Sequence, residues 1–73
     1  MQKKDLYKII GKNIQKERLK RGLTQETFAE LMSVSWSYVA KMESGILNLS
    51  VGKIFEISQF LKVDINILLE VPI

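Results

Sequence analysis

The chain has 73 residues, room for one small domain, and its 47% hydrophobic and 26% charged content suits a packed core rather than a disordered tail. Zero Cys excludes a disulfide framework and thiolate metal sites, and zero His removes the commonest acid–base catalyst and metal ligand, so no metal, no cofactor and no enzyme are expected. The net charge of +3 is uneven, with +6 over residues 1–22 and −3 over the rest, and no apolar run approaches the ~18 residues of a membrane helix. Met1–Ile10 also lacks the apolar core of a signal peptide, so a cytoplasmic protein without a membrane partner is expected.

Residues 5–21 read as the first helix, because at about 100° per residue Leu6, Tyr7, Ile10, Ile14 and Arg18 share a sector of about 120°. That sector is expected to face the core. Lys4, Lys8, Lys12, Lys16 and Lys20 drift around the opposite side as a solvated stripe, and Ile9 and Leu19 break the pattern. Gly22 ends the helix where a positive φ is wanted. Four shorter helices follow, introduced by Thr24, Ser35, Ser50 and Asp64, each with a side-chain oxygen that accepts from a free backbone amide. Behind these caps the apolar residues fall at helical spacing: Phe28, Ala29, Leu31 and Met32; Val39 and Met42; Val51, Ile54, Phe55, Ile57 and Leu61; and Ile65, Leu68 and Leu69 before Pro72. No segment sustains period two and no hairpin dipeptide occurs, which predicts an all-α bundle of five helices in a single domain over residues 1–73.

The informative stretch is Gln25 to Glu43, two short helices separated by Ser33, Val34 and the cap Ser35. Their crossing needs a small residue, which Ala29 supplies, while Phe28, Met32, Val34, Val39 and Met42 fill the corner. In such a corner the second helix stands out from the body, leaving Trp36, Ser37, Tyr38, Ala40 and Lys41 free to enter a DNA major groove. The Glu26 and Glu30 pair reads as surface, and the serines have no His base to activate them.

At these residues the sequence resembles the helix-turn-helix domains of the phage lambda repressor and Cro type. The resemblance runs from Ile10 through KERLKRGLTQETFAEL and SVSWSYVAKMESG to ISQFLKVDINILLE, and it is most specific at Gly22-Leu23-Thr24-Gln25, at the Ala29 to Val39 spacing and at Glu43-x-Gly45. It implies a compact lambda-repressor-like domain with the helix-turn-helix at about residues 24–44. It implies base-edge contacts from Trp36, Ser37 and Lys41, and phosphate or positioning contacts from Thr24, Gln25, Ser35, Tyr38 and Asn48. It also pairs Arg18 with Glu43, which accounts for a guanidinium at the edge of a core-facing sector. Ser33 replaces the usual turn Gly, so a residue with a Cβ is expected in a left-handed conformation. Ile46 and Leu47 stand where relatives carry basic residues, and Leu49 replaces a common Pro.

The function these readings imply is a sequence-specific transcriptional regulator, a repressor that occupies a palindromic operator on double-stranded DNA as a homodimer. Leu47, Leu49, Ile67, Leu69 and Val71 are the dimer candidates. Only Lys41 and Glu43 are charged between Ser33 and Ser44, a neutral balance that argues for modest monomer affinity. Relatives also act as restriction-modification controllers and antitoxins. The alternative from another class is a protein-interaction module whose protein partner meets Trp36, Tyr38, Ile46 and Leu47.

Overall fold

The computed structural model describes residues 1–72 and contains five helices: α1 (Lys3–Lys20), α2 (Gln25–Met32), α3 (Trp36–Ser44), α4 (Val51–Leu61) and α5 (Ile65–Leu69). Among those residues there is no strand. α1 starts two residues before the apolar pattern does, because the Asp5 carboxylate accepts the backbone N–H of Gln2 at 3.0 Å and satisfies one of the free amides of the first turn.

Three of the four connections repeat one three-residue unit: a left-handed residue, an apolar residue, then the cap of the next helix. The units are Gly22-Leu23-Thr24, Ser33-Val34-Ser35 and Lys62-Val63-Asp64, with first-position φ of 70°, 57° and 57°. In each, the apolar residue's N–H reaches back five residues, from Leu23 to the Arg18 carbonyl (3.2 Å), from Val34 to Ala29 (3.0 Å) and from Val63 to Ser58 (3.0 Å). This closure satisfies carbonyls that a helix end leaves orphaned, and the apolar side chain folds back onto the last turn. The third residue then caps the next helix: Thr24 accepts from the Thr27 N–H, Ser35 from Tyr38 and Asp64 from Asn66, as Ser50 does from Lys53 after the longer loop. Ser33 is left-handed, as its place in the turn requires. Lys62 shares that conformation without any local signal for it, and a side chain there costs roughly 1–2 kcal/mol relative to glycine.

Ile10, Ile14, Phe28, Ala29, Val39, Met42, Ile54, Ile57, Leu61 and Leu68 form the core, on which α1 meets α3 and α5, α2 meets α3 and α4, and α4 meets α5. Met32 and Val34 are partly buried against it rather than sealed in. Leu31, Val51 and Phe55, which share the helical spacing of the core residues, face outwards instead; Val51 is 69% and Phe55 50% exposed. Ile54, Ile57, Ser58 and Leu61 already form the inward stripe of α4, and Phe55 lies about 100° of helical rotation away from Ile54. Ser58 tolerates burial because its hydroxyl donates to the Phe55 carbonyl at 2.5 Å.

Two contacts set where α1 lies. The Asn13 amide donates to the carbonyls of Leu68 and Glu70, both at 2.9 Å, satisfying the end of a five-residue helix too short to persist alone. Gly11, in the interior of α1, is buried against the end of α3: a Cβ there would lie 2.6 Å from the carbonyl oxygens of both Met42 and Glu43. Gly45 is needed for space as well as for its φ of 83°, since its Cβ would lie 2.5 Å from the Lys8 Cα. The two helices therefore touch backbone to backbone. In an exposed helix Gly→Ala stabilises by roughly 1 kcal/mol. Here Gly11→Ala is expected to lower stability by about 2 kcal/mol in urea unfolding, within the overpacking range; a gain in stability would refute the contact.

Candidate nucleic-acid interface

α3 has two faces with different chemistry. Val39, Met42 and Glu43, at spacings of three and four, are buried, and Ser37 and Lys41 emerge on the other side, with Trp36 exposed at the first turn, above Glu43 on the same helical face. Trp36 is 56% exposed. Tyr38 and Ala40, expected to be free for a groove, are only half so, because Tyr38 also packs against the core. Thr24 and Ser35 lie exposed at the starts of α2 and α3, with their oxygens engaged in capping, and Thr24 also donates to the Thr27 hydroxyl at 2.9 Å. That leaves the Thr27 proton available to a phosphate, a role the sequence reading did not assign. Asn48 is exposed in the loop between α3 and α4.

The inward side of α3 is anchored by charge. Arg18 and Glu43 are 5% and 7% exposed, and the guanidinium is bidentate to the carboxylate, Nε to Oε2 at 2.6 Å and Nη2 to Oε1 at 3.0 Å. Nη1 donates to the Leu23 carbonyl at 2.6 Å, so one side chain joins the α1–α2 turn to the end of α3. Every buried side-chain nitrogen and oxygen among the described residues has a partner.

Gln25 extends this network to the surface. Its Nε2 donates to Glu43 Oε1 at 3.1 Å, and its Oε1 accepts from Trp36 Nε1 at 3.1 Å. A carboxylate only accepts and an indole N–H only donates, so the amide has one orientation that satisfies both. The family resemblance implies a phosphate contact for Gln25 and a base edge for Trp36; the structure ties the two side chains to each other. One N–H of Nε2 is left for a phosphate.

The five dimer candidates divide. Leu47, Leu49 and Leu69 are half-buried on the core, so much of their apolar surface is already used, whereas Ile67 and Val71 are exposed. Tyr38 and Leu47, expected in an apolar interaction face, are partly withdrawn in the same way, while Trp36 and Ile46 stand out. Among the described residues no cluster of three or more His, Cys, Asp or Glu side chains is placed to hold a metal ion.

The sequence pattern of the helix-turn-helix family matches residues 14–68. The chain belongs to that family. It is 34% identical over 60 residues to an uncharacterized HTH-type transcriptional regulator, y4dJ, of Sinorhizobium fredii, covering 82% of this chain and 78% of that one. Among solved structures it is similar to the hypothetical transcription factor NHTF from Neisseria, with TM-score 0.85, 25% identity and coverage of 99% of this chain and 83% of the other. It is also similar to the restriction-modification controller protein C.AhdI from Aeromonas hydrophila, with TM-score 0.76, 34% identity and coverage of 88% and 96%. The family is one of DNA-binding regulators rather than enzymes, and the helix-turn-helix of this chain is α2, the Ser33-Val34-Ser35 turn and α3.

Within that helix-turn-helix, the buried pair changes the charge count of the exposed face. Glu43 is turned inward and neutralised by Arg18, so α3 presents Lys41 to solvent as a net positive charge. Removing one partner of a buried pair leaves the other uncompensated. Arg18→Met is expected to cost roughly 3–5 kcal/mol in chemical denaturation, and the double variant Arg18→Met, Glu43→Met markedly less than the sum of the two single losses. Strict additivity in that cycle would show that the two side chains do not act as a pair.

Proposed function

We propose that this single-domain chain is a sequence-specific repressor that binds a palindromic operator as a homodimer, with α3 in the major groove, in the cytoplasm. The observation that carries the reading is the two-sidedness of α3: Val39, Met42 and Glu43 hold it to the core while Ser37 and Lys41 remain exposed on its outer side and Trp36 at its exposed start. In this reading Lys41 donates to guanine O6 and N7. Gln25, Thr24, Ser35, Tyr38 and Asn48 position the backbone, aided by the free amides at the start of α2. Two copies related by a two-fold axis present their recognition helices about 34 Å apart, one DNA turn. Ile67, exposed in the middle of α5, and Val71, exposed just beyond it, are the contacts we assign to that axis. Control of a restriction-modification system is the finer reading favoured by the 34% identity to C.AhdI over 88% of this chain.

A footprint on DNA upstream of its own coding sequence tests the reading, and the absence of any protected palindrome at low salt would overturn it. Lys41→Ala is expected to relax preference at one base position by about 1–3 kcal/mol, and Gln25→Ala to weaken every site through its lost phosphate contact and, by freeing the Trp36 indole N–H, to change preference only at the base Trp36 meets. Salt titration separates DNA from a protein partner, because each phosphate neutralised steepens the log–log salt slope by roughly 0.9. Ile67→Asp is expected to shift sedimentation from dimer to monomer and to weaken operator binding without loss of helical signal. A dimer that survives this change would move the interface elsewhere.

A further inference from the structure

Trp36 is the first residue of α3 and is more than half exposed although its one polar side-chain atom is already engaged. An indole carries a single donor and no acceptor, and here that donor is on Gln25 Oε1 at 3.1 Å. Turning Gln25 away to release it would also break the bond of its other end to Glu43, which Arg18 holds in the buried pair. Trp36 therefore offers the solvent a flat apolar ring, fixed in place, with no hydrogen-bonding capacity left.

Base pairs in the major groove differ in their donors and acceptors and in one apolar group, the C5-methyl of thymine. A side chain whose polar capacity is spent discriminates on the apolar group alone. Against guanine O6 or the cytosine amino group it displaces water and returns no hydrogen bond. We infer that Trp36 is a specificity-determining residue that selects a T·A pair by packing its indole ring on the thymine methyl, leaving hydrogen-bonded readout to Ser37 and Lys41. The inference rests on the DNA reading above and adds the class of base that the start of α3 accepts.

The test begins by selecting the preferred duplex from a random pool with the intact chain, then replacing each thymine singly by uracil, which removes the methyl and leaves pairing and groove polarity unchanged. One thymine per half-site is expected to lose affinity about fourfold on this change, the worth of one buried methyl-sized group. Trp36→Ala is expected to abolish that sensitivity, with its helical content checked by circular dichroism, while Trp36→Phe keeps an apolar ring and is expected to retain it. A selected site at which no thymine is methyl-sensitive, or at which Trp36→Ala leaves the sensitivity intact, overturns the inference while the DNA reading stands. Failure to select any duplex overturns the DNA reading, and this inference with it.

Discussion

The guanidinium of Arg18 sits where α1, the turn at Leu23 and the end of α3 converge, and the direction in which α3 presents its side chains depends on it. Three of its N–H groups are used, two on the Glu43 carboxylate and one on the Leu23 carbonyl. Bringing both charges out of water is costly, and well-packed apolar residues often do as well in stability, so the pair is weakly explained as a source of net free energy. Its contribution is orientation. Apolar contacts such as those of Val39 and Met42 with the core tolerate a small rotation of a nine-residue helix, whereas a planar fork on a carboxylate fixes both distance and plane. With Glu43 held inward, helical geometry leaves Ser37 and Lys41 outward, while Trp36, which shares a helical face with Glu43, is exposed because it stands at the open first turn of α3.

The close approach of α1 and α3 makes the pair possible. Gly11 lets the Met42 and Glu43 carbonyls come against α1, and Gly45 lets the chain leave α3 across the backbone at Lys8. Arg18 lies seven residues beyond Gly11, two helical turns along the same face, so the glycine contact and the ion pair read as two points of one seam. The charge consequence follows directly. Counted along the sequence, Lys41 and Glu43 cancel; in three dimensions the carboxylate is spent on Arg18, and Lys41 is left to act on solvent or a ligand.

Features whose physics is local were legible in the sequence. Thr24, Ser35, Ser50 and Asp64 cap their helices because a cap needs only its own side chain and an amide two or three residues on. Arg18 was legible as an anomaly, a charge in an apolar sector, and the family resemblance supplied Glu43 as its partner. What escaped depends on distant chain. Asn13 is satisfied by carbonyls 55 and 57 residues away, and Gly11 is required only because α3 arrives beside it. Lys62 adopts its left-handed turn because the Ser58–Val63 closure demands it, not because lysine favours it. Val51 and Phe55 have helical spacing but fall beside the inward stripe, and spacing alone does not say where a stripe ends. Leu47, Leu49 and Leu69 show the converse limit, since an apolar residue in a loop or short helix reads equally as core or as interface until the packing is seen.

A hydrogen-bonded chain runs from the core to the outer face: Arg18 to Glu43, Glu43 to Gln25, Gln25 to Trp36. Each link has its donor and acceptor fixed by chemistry, and no rotation of the Gln25 amide satisfies both neighbours except the one present. A side chain held this way loses little conformational freedom when it meets a partner, so less of the contact energy is consumed in ordering it. That matters on a face with a single exposed cation, where long-range attraction is small and affinity must come from contacts formed at short range. The same tether that removes the polar atom of Trp36 from use thus also makes its ring a rigid surface, and an anchored apolar ring gains more from a well-placed methyl group than a mobile one would.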